Sequence, residues 1–199
     1  MKHLECERYG IPLIIKDVLK RNSLVVAEIG VWAGYYTDVY YSQLHGSKIY
    51  LIDLWETQGN DWEFSRNSGM AEDGYKQVIN KYQNNPDFTI CKGYSTDWAK
   101  KFPDSFFDWI YIDADHSYQA VLDDLAAWYP KIKTHGIISG HDFPPYADTD
   151  NPHPAHENYP FGVEKAVTEF FKNDLHNLYL TNEKHCKSWM LIKPRKTML

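Results

Sequence analysis

The chain has 199 residues, 43% of them hydrophobic and 24% charged, and a formal net charge of −6. That hydrophobic share excludes an intrinsically disordered chain. The acidic balance argues against a protein that grips nucleic acid through its phosphates, which takes a basic face, and the longest basic run is only residues 193–196.

Short β-rich runs alternate with longer segments of helical character. Residues 24–29 (LVVAEI), 48–53 (KIYLID), 88–91 (FTIC), 107–112 (FDWIYI) and 136–139 (GIIS) read as five strands. Most are near-continuous apolar runs, as in parallel sheets covered on both faces. Helices are predicted between them over 35–45, 72–84, 96–101 and 117–128. The last puts Val121, Leu125 and Trp128 on one face. A further helix is predicted over 163–171, then strands over 175–181 and 188–192. The link between that last pair is too short for a crossover, so the pair is expected to be antiparallel. The order predicts an α/β, Rossmann-like three-layer sandwich with a seven-stranded, mostly parallel sheet and an antiparallel final strand.

The length fits a single domain over 1–199. Two segments break the alternation: 55–74, which is polar and aromatic, and 143–162, which is rich in proline. Both leave the C-terminal ends of predicted parallel strands, where open α/β sheets bind ligands, and are candidate lids. Tyr and Trp make up 22 of the 31 aromatic residues; Trp55, Trp62, Phe64, Phe143 and Tyr146 fall in the candidate lids, whereas Tyr35, Tyr36, Tyr40 and Tyr41 have helix-packing spacing. Cys6, Cys91 and Cys186 have no metal-like spacing and point to a reduced, cytoplasmic chain. No secretion-signal pattern is visible, and no apolar run approaches the ~20 residues of a membrane span.

The sharpest local motif is Glu28-Ile29-Gly30-Val31-Trp32-Ala33-Gly34, between the first strand and a helix. Its glycines allow a tight turn and close backbone approach. The spacing is E-x-G-x-x-x-G, which departs from the G-x-G-x-x-G of nicotinamide-dependent oxidoreductases. Asp53 ends the second strand, where an acidic side chain accepts from ribose hydroxyls. The run IDADH delivers Asp113, Asp115 and His116 to the end of the fourth strand. An imidazole with an ordinary pKa near 6.5 suits a general base, although D-x-D-H before Ser117 also fits a helix cap. His141 and Asp142 follow the fifth strand, and His153 and His156 lie in the proline-rich segment, where solvated loop histidines are the plainer expectation.

Together, the glycine turn, the strand-end acid, the run FDWIYIDADH and the antiparallel final pair resemble class I S-adenosylmethionine-dependent methyltransferases. More narrowly, IDADHSY with GIISGHDF downstream is similar to a small bacterial-type group related to the metal-dependent catechol and macrolide-sugar O-methyltransferases. The resemblance implies that Gly30, Val31, Trp32 and Gly34 approach S-adenosyl-L-methionine, and that Glu28 meets its amino group. It implies a ribose contact at Asp53, adenine contacts at Leu54 or Trp55, and an adenine edge at Gly93, Tyr94 and Ser95. Asp113, beside the cofactor, matches a residue that binds a divalent cation in the metal-dependent relatives; His116 matches their base, with Asp115 orienting it or replacing it. His141 and Asp142 stand where those relatives place acidic or amide ligands. That change would tilt the metal from Mg²⁺ towards Mn²⁺, Fe²⁺ or Zn²⁺; the same residues would equally orient an acceptor without any metal.

The expectation is a methyl transfer to a small-molecule acceptor, at a hydroxyl oxygen, with no nucleic-acid or membrane partner and with homo-oligomerisation left open. A metal-dependent hydrolase built on the Asp/His cluster stays an alternative, as does a non-catalytic nucleotide-binding module.

Overall fold

A computed structural model describes residues 1–21, 23–56, 69–144, 161–184 and 186–195. The inner parts of both candidate lids, with Trp62, Phe64, Tyr146, His153 and His156, lie outside the described residues.

Among the described residues, eight strands form one sheet: β1 (Lys2–His3), β2 (Val25–Ile29), β3 (Lys48–Asp53), β4 (Phe88–Lys92), β5 (Phe107–Ile112), β6 (Ile132–Phe143), β7 (Leu178–Leu180) and β8 (Lys187–Ile192). Their spatial order is β1-β7-β8-β6-β5-β2-β3-β4. β8 runs antiparallel to both β6 and β7, and every other pairing is parallel. The expected seven strands are therefore eight. The additional one, β1, is two exposed residues added at the edge of β7.

Among the described residues, the α-helices are α1 (Ile11–Leu19), α2 (Tyr35–Gln43), α3 (Met70–Tyr82), α4 (Ser95–Ala99), α5 (Tyr118–Trp128) and α6 (Val163–Phe170). They cover the two faces of the sheet, giving the three layers. On one face α4, α5 and α6 pack Ala99, Leu125, Trp128 and Val167 against Ile110 and Ile112. On the other, α1, α2 and α3 pack Ile15, Tyr40 and Val78 against Val26, Leu51 and Trp109. Central β5 is buried at every position, which is why it reads as a continuous apolar run. Burying one such large apolar side chain contributes about 1.5–3 kcal/mol. Asp108 tolerates burial in β5 because it accepts from the Val25 amide and pairs with Arg21 and Lys133.

Strand register positions the site. Ile29 lies beside both Ile52 and Ile112, and Ile112 lies beside Gly140. The C-terminal ends of β5, β2 and β3 therefore stop level, and Gly30, Asp53 and Asp113 leave the sheet side by side. Three backbone bonds hold these exits together: Gly30 N to Ile52 O at 2.9 Å, Asp113 N to Ile29 O at 2.7 Å, and Gly93 N to Asp53 O at 2.9 Å. Where β6 passes Asp113, its pairing with β8 breaks register between Gly140 and Phe143. Asp142 sits in that break in the left-handed region, with φ +54°, a conformation that Asp tolerates better than most residues.

Candidate active site

Two cavities open at this end of the sheet. The first, about 380 Å³, runs across the ends of β5, β2, β3 and β4 and includes Gly30, Trp32, Asp53, Leu54, Trp55, Gly93, Tyr94, Ser95, Asp113 and Asp115. The second, about 760 Å³, lies on the other side of the glycine turn, among Arg8, Tyr9, Glu28, Val31, Tyr35, Tyr36, His116, His141, Asp142 and Phe161. Gly30, Trp32, Asp113 and Ala114 belong to both and form the wall between them.

Asp53 organises the first cavity. Its Oδ2 accepts from the amides of Val31 and Trp32, each at 2.8 Å, and its Oδ1 from the Trp55 amide at 2.7 Å. Trp55, buried at 4% exposure, donates its indole N–H to the Trp32 carbonyl at 2.7 Å. One carboxylate thus fastens the glycine turn to the segment after β3. Gly30 is required by the sheet itself. Its φ is +85°, and a Cβ there would stand 2.0 Å from the Asp113 carbonyl oxygen.

Several expected cofactor contacts lie elsewhere. Gly34, at φ +77°, caps α2 and lines neither cavity; a Cβ there would meet the Tyr82 ring at 3.0 Å, so it serves the packing of α2 on α3. Val31 faces the second cavity. Glu28 borders that cavity too, but is only 1% exposed, and its Oε2 accepts from Thr37 at 2.5 Å and Tyr40 at 2.8 Å. Burial pushes its carboxyl up to about 8, against the pull of Thr37, Tyr40 and Arg8. Glu28 is thus tied to α2 instead of reaching into the first cavity.

The second cavity holds the titratable cluster. Ligand atoms of Asp113, His141 and Asp142 lie within 4.8 Å of one another, a spacing that suits one divalent cation. His116 Nε2 is 3.0 Å from Asp142 Oδ2 and 3.6 Å from Asp113 Oδ1, while His141 Nδ1 is 3.2 Å from Asp142 Oδ2. Burial opposes charge on His116, yet Asp113 and Asp142 raise its imidazole well above the ordinary value. The two flanking carboxylates thus shift His116 upward from the ordinary imidazole value that residue type alone suggests. Burial alone would raise both acids, but Arg8 and His116 hold Asp113 down, and His116 and His141 hold Asp142 well down. Asp115 does not orient His116. Its Oδ1 accepts from the Ser117 amide at 2.7 Å, ahead of α5, and it lines the first cavity.

Two cluster neighbours carry no sequence signal. Arg8 donates from Nη2 to Asp113 Oδ2 at 2.5 Å, and its guanidinium lies 4.3 Å from the Tyr36 ring and 5.2 Å from the Tyr111 ring. Its amide donates to Glu183, and its carbonyl accepts from Tyr36 Oη at 3.3 Å. Phe161 stacks on His116, with centroids 5.3 Å apart and planes 9° apart, and Gly162 N donates to the His116 carbonyl at 2.8 Å. Of the paired tyrosines, Tyr40 is wholly buried as packing predicts, but Tyr35 is exposed and lines the second cavity.

A Rossmann-like sheet whose Gly and Asp exits frame one cavity, with an Asp/His cluster behind the turn, is the architecture of class I methyltransferases. The sequence matches a family described as a methyltransferase domain over residues 27–143, and the chain belongs to that family. No curated protein sequence gives a significant match. Among solved structures, the fold is similar to that of the O-methyltransferase NovP (TM-score 0.64, 16% identity, covering 94% of this chain and 78% of that one). It is similar to a candidate caffeoyl-CoA O-methyltransferase from Staphylococcus aureus (0.63, 14%, 95% and 85%). It is also similar to a candidate rRNA methylase from Clostridium thermocellum (0.64, 14%, 98% and 99%). At these identities the likeness is one of fold, and acceptors as unlike as those three share it. Among the described residues no helix is long and apolar enough to cross a membrane.

Proposed function

We propose that the protein transfers the methyl group of S-adenosylmethionine to a hydroxyl oxygen of a small-molecule acceptor. The observation that carries this is the pair of cavities meeting at Gly30, Trp32, Asp113 and Ala114. Because both cavities share these residues, a donor in one and an acceptor in the other would approach each other at that shared edge, where an in-line displacement needs the methyl carbon and the acceptor oxygen in direct contact. The first cavity is lined by Asp53, Asp113, Asp115, Asp123 and Asp124, which suits a ligand bearing a sulfonium and an ammonium group.

On the acceptor side, Arg8 holds one Asp113 oxygen and leaves the other facing His116 and His141. Asp113, His141 and Asp142 would hold a divalent cation. The imidazole in the set favours Mn²⁺, Fe²⁺ or Zn²⁺ over Mg²⁺, and such an ion lowers the pKa of a bound hydroxyl. His116, beside Asp113 and Asp142 in this cavity, would take the hydroxyl proton from its neutral form.

Calorimetry with S-adenosylmethionine, S-adenosylhomocysteine and NAD tests the donor; saturable NAD binding with no response to either adenosyl ligand overturns the assignment. A homocysteine-release screen of hydroxylated metabolites, with and without chelator, then tests acceptor and metal.

A further inference from the structure

The Asp113 carboxylate is engaged on two sides. Its Oδ2 takes the Arg8 guanidinium at 2.5 Å, and its Oδ1 faces His116 and His141 in the candidate cation cluster. Of the three cluster ligands, only Asp113 and Asp142 bring negative charge, and Arg8 already matches one of the two. A divalent cation is held more tightly as the ligand charge around it grows. A guanidinium on the same carboxylate therefore works against it. Arg8 is brought there by the segment before α1. The backbone anchors of that arm are Leu4 N to Leu180 O at 2.8 Å, Asn182 N to Cys6 O at 3.0 Å, and Arg8 N to the Glu183 carboxylate. Its strand, β1, is two exposed residues. The seat of the guanidinium is also incompletely satisfied: Arg8 Nε is buried without a hydrogen-bond partner among the described residues, a cost that favours release.

We infer that Arg8 is a built-in competitor of the divalent cation: filling the site and docking the N-terminal arm on Asp113 oppose each other. The antagonism lies in permanent charge, since a guanidinium does not lose its proton in proteins. It rests on reading Asp113, His141 and Asp142 as a cation site, and it adds a control over the loading of that site. Coupling between two binding events is reciprocal. Whatever factor Arg8 takes from cation affinity, the cation takes from docking of the arm.

Calorimetry on the chelator-treated full chain, with Mn²⁺ and Zn²⁺ in separate titrations, reads one side of this coupling. Arg8→Gln keeps hydrogen-bond donors for Asp113 but removes the charge, so the Kd should tighten by at least about tenfold. Arg8→Lys keeps the charge and should stay within about threefold of the wild type. A Kd in Arg8→Gln that is unchanged or weaker overturns the inference, as does equal tightening in Arg8→Lys. Hydrogen exchange on the wild type reads the other side, and it decides alone if Arg8→Gln does not fold. At saturation, the ion that binds should speed exchange of the Leu4 and Arg8 amides by at least about threefold; unchanged or slower exchange overturns the inference. Saturable binding of neither ion by the folded proteins overturns the cation site together with the inference, and leaves the assignment of the donor cavity standing.

Discussion

The two cavities are built from different kinds of sequence. The wall of the proposed cofactor cavity comes largely from the ends of four neighbouring strands, with the group that matters at the strand's last residue or within three residues after it: Gly30, Asp53, Ser95 and Asp113. The proposed acceptor cavity adds Arg8, Tyr36 and Phe161, from segments that no local pattern connects, to His116 and His141 at the ends of β5 and β6. Binding of a shared donor can therefore be encoded locally and rigidly. The acceptor side is assembled from long-range contacts, which lets closely similar folds take unlike acceptors.

The sharpest way to break this division is to damage one side and measure the other. His116→Ala should lower turnover by about 10²–10⁴-fold, followed by homocysteine release, with the Kd for S-adenosylhomocysteine staying within about threefold. Equal losses in both would show that the cavities are not separable. Asp53→Ala is the converse. Three amides lose their acceptor, so cofactor affinity should weaken by about ten- to a hundredfold in calorimetry, and the glycine turn should loosen.

The smallest effect concerns Glu28, which separates the turn's chemistry from its support. Its folded pKa of about 8 lies above the ordinary 4.5, so the folded state binds the extra proton between those values. That contribution to stability is full below the ordinary pKa and is lost as pH rises towards 8. Glu28→Gln keeps an oxygen for Thr37 and Tyr40 and cannot ionise. It should match the wild type near pH 5 and exceed it by a few degrees in Tm near pH 9. An equal Tm difference at both pH values would contradict the buried, proton-binding role.

Much of the sheet was legible because β2, β3, β5 and β8 are apolar runs with one dominant period. β6 is longer than its predicted GIIS core because Lys133, Thr134 and His135 interrupt the apolar pattern without interrupting the strand. β1 has no apolar residue at all, and only the edge of β7 makes it a strand. α1 was missed although IPLIIKDVL carries helical spacing and a proline in its first turn. In the site, the strand-end residues were found by position. Their chemistry was not, since it depends on what arrives from elsewhere: residue type alone suggests a poised His116, whereas two flanking carboxylates shift it upward. Gly34 shows the converse, a motif glycine that lies off both cavities and whose lack of a side chain leaves room for the Tyr82 ring.

The arm that carries Arg8 also bears on how the protein is made. Its anchors are β7 and Glu183, the latter 175 residues further along the chain. Everything from β2 to Asp113 can be synthesised and pack before those anchors leave the ribosome. The ties from the Arg8 amide to Glu183 and from β1 to β7 form only once they have. In the order of synthesis, the residues around Asp53 can therefore pack before the N-terminal arm beside the second cavity is fully tied down.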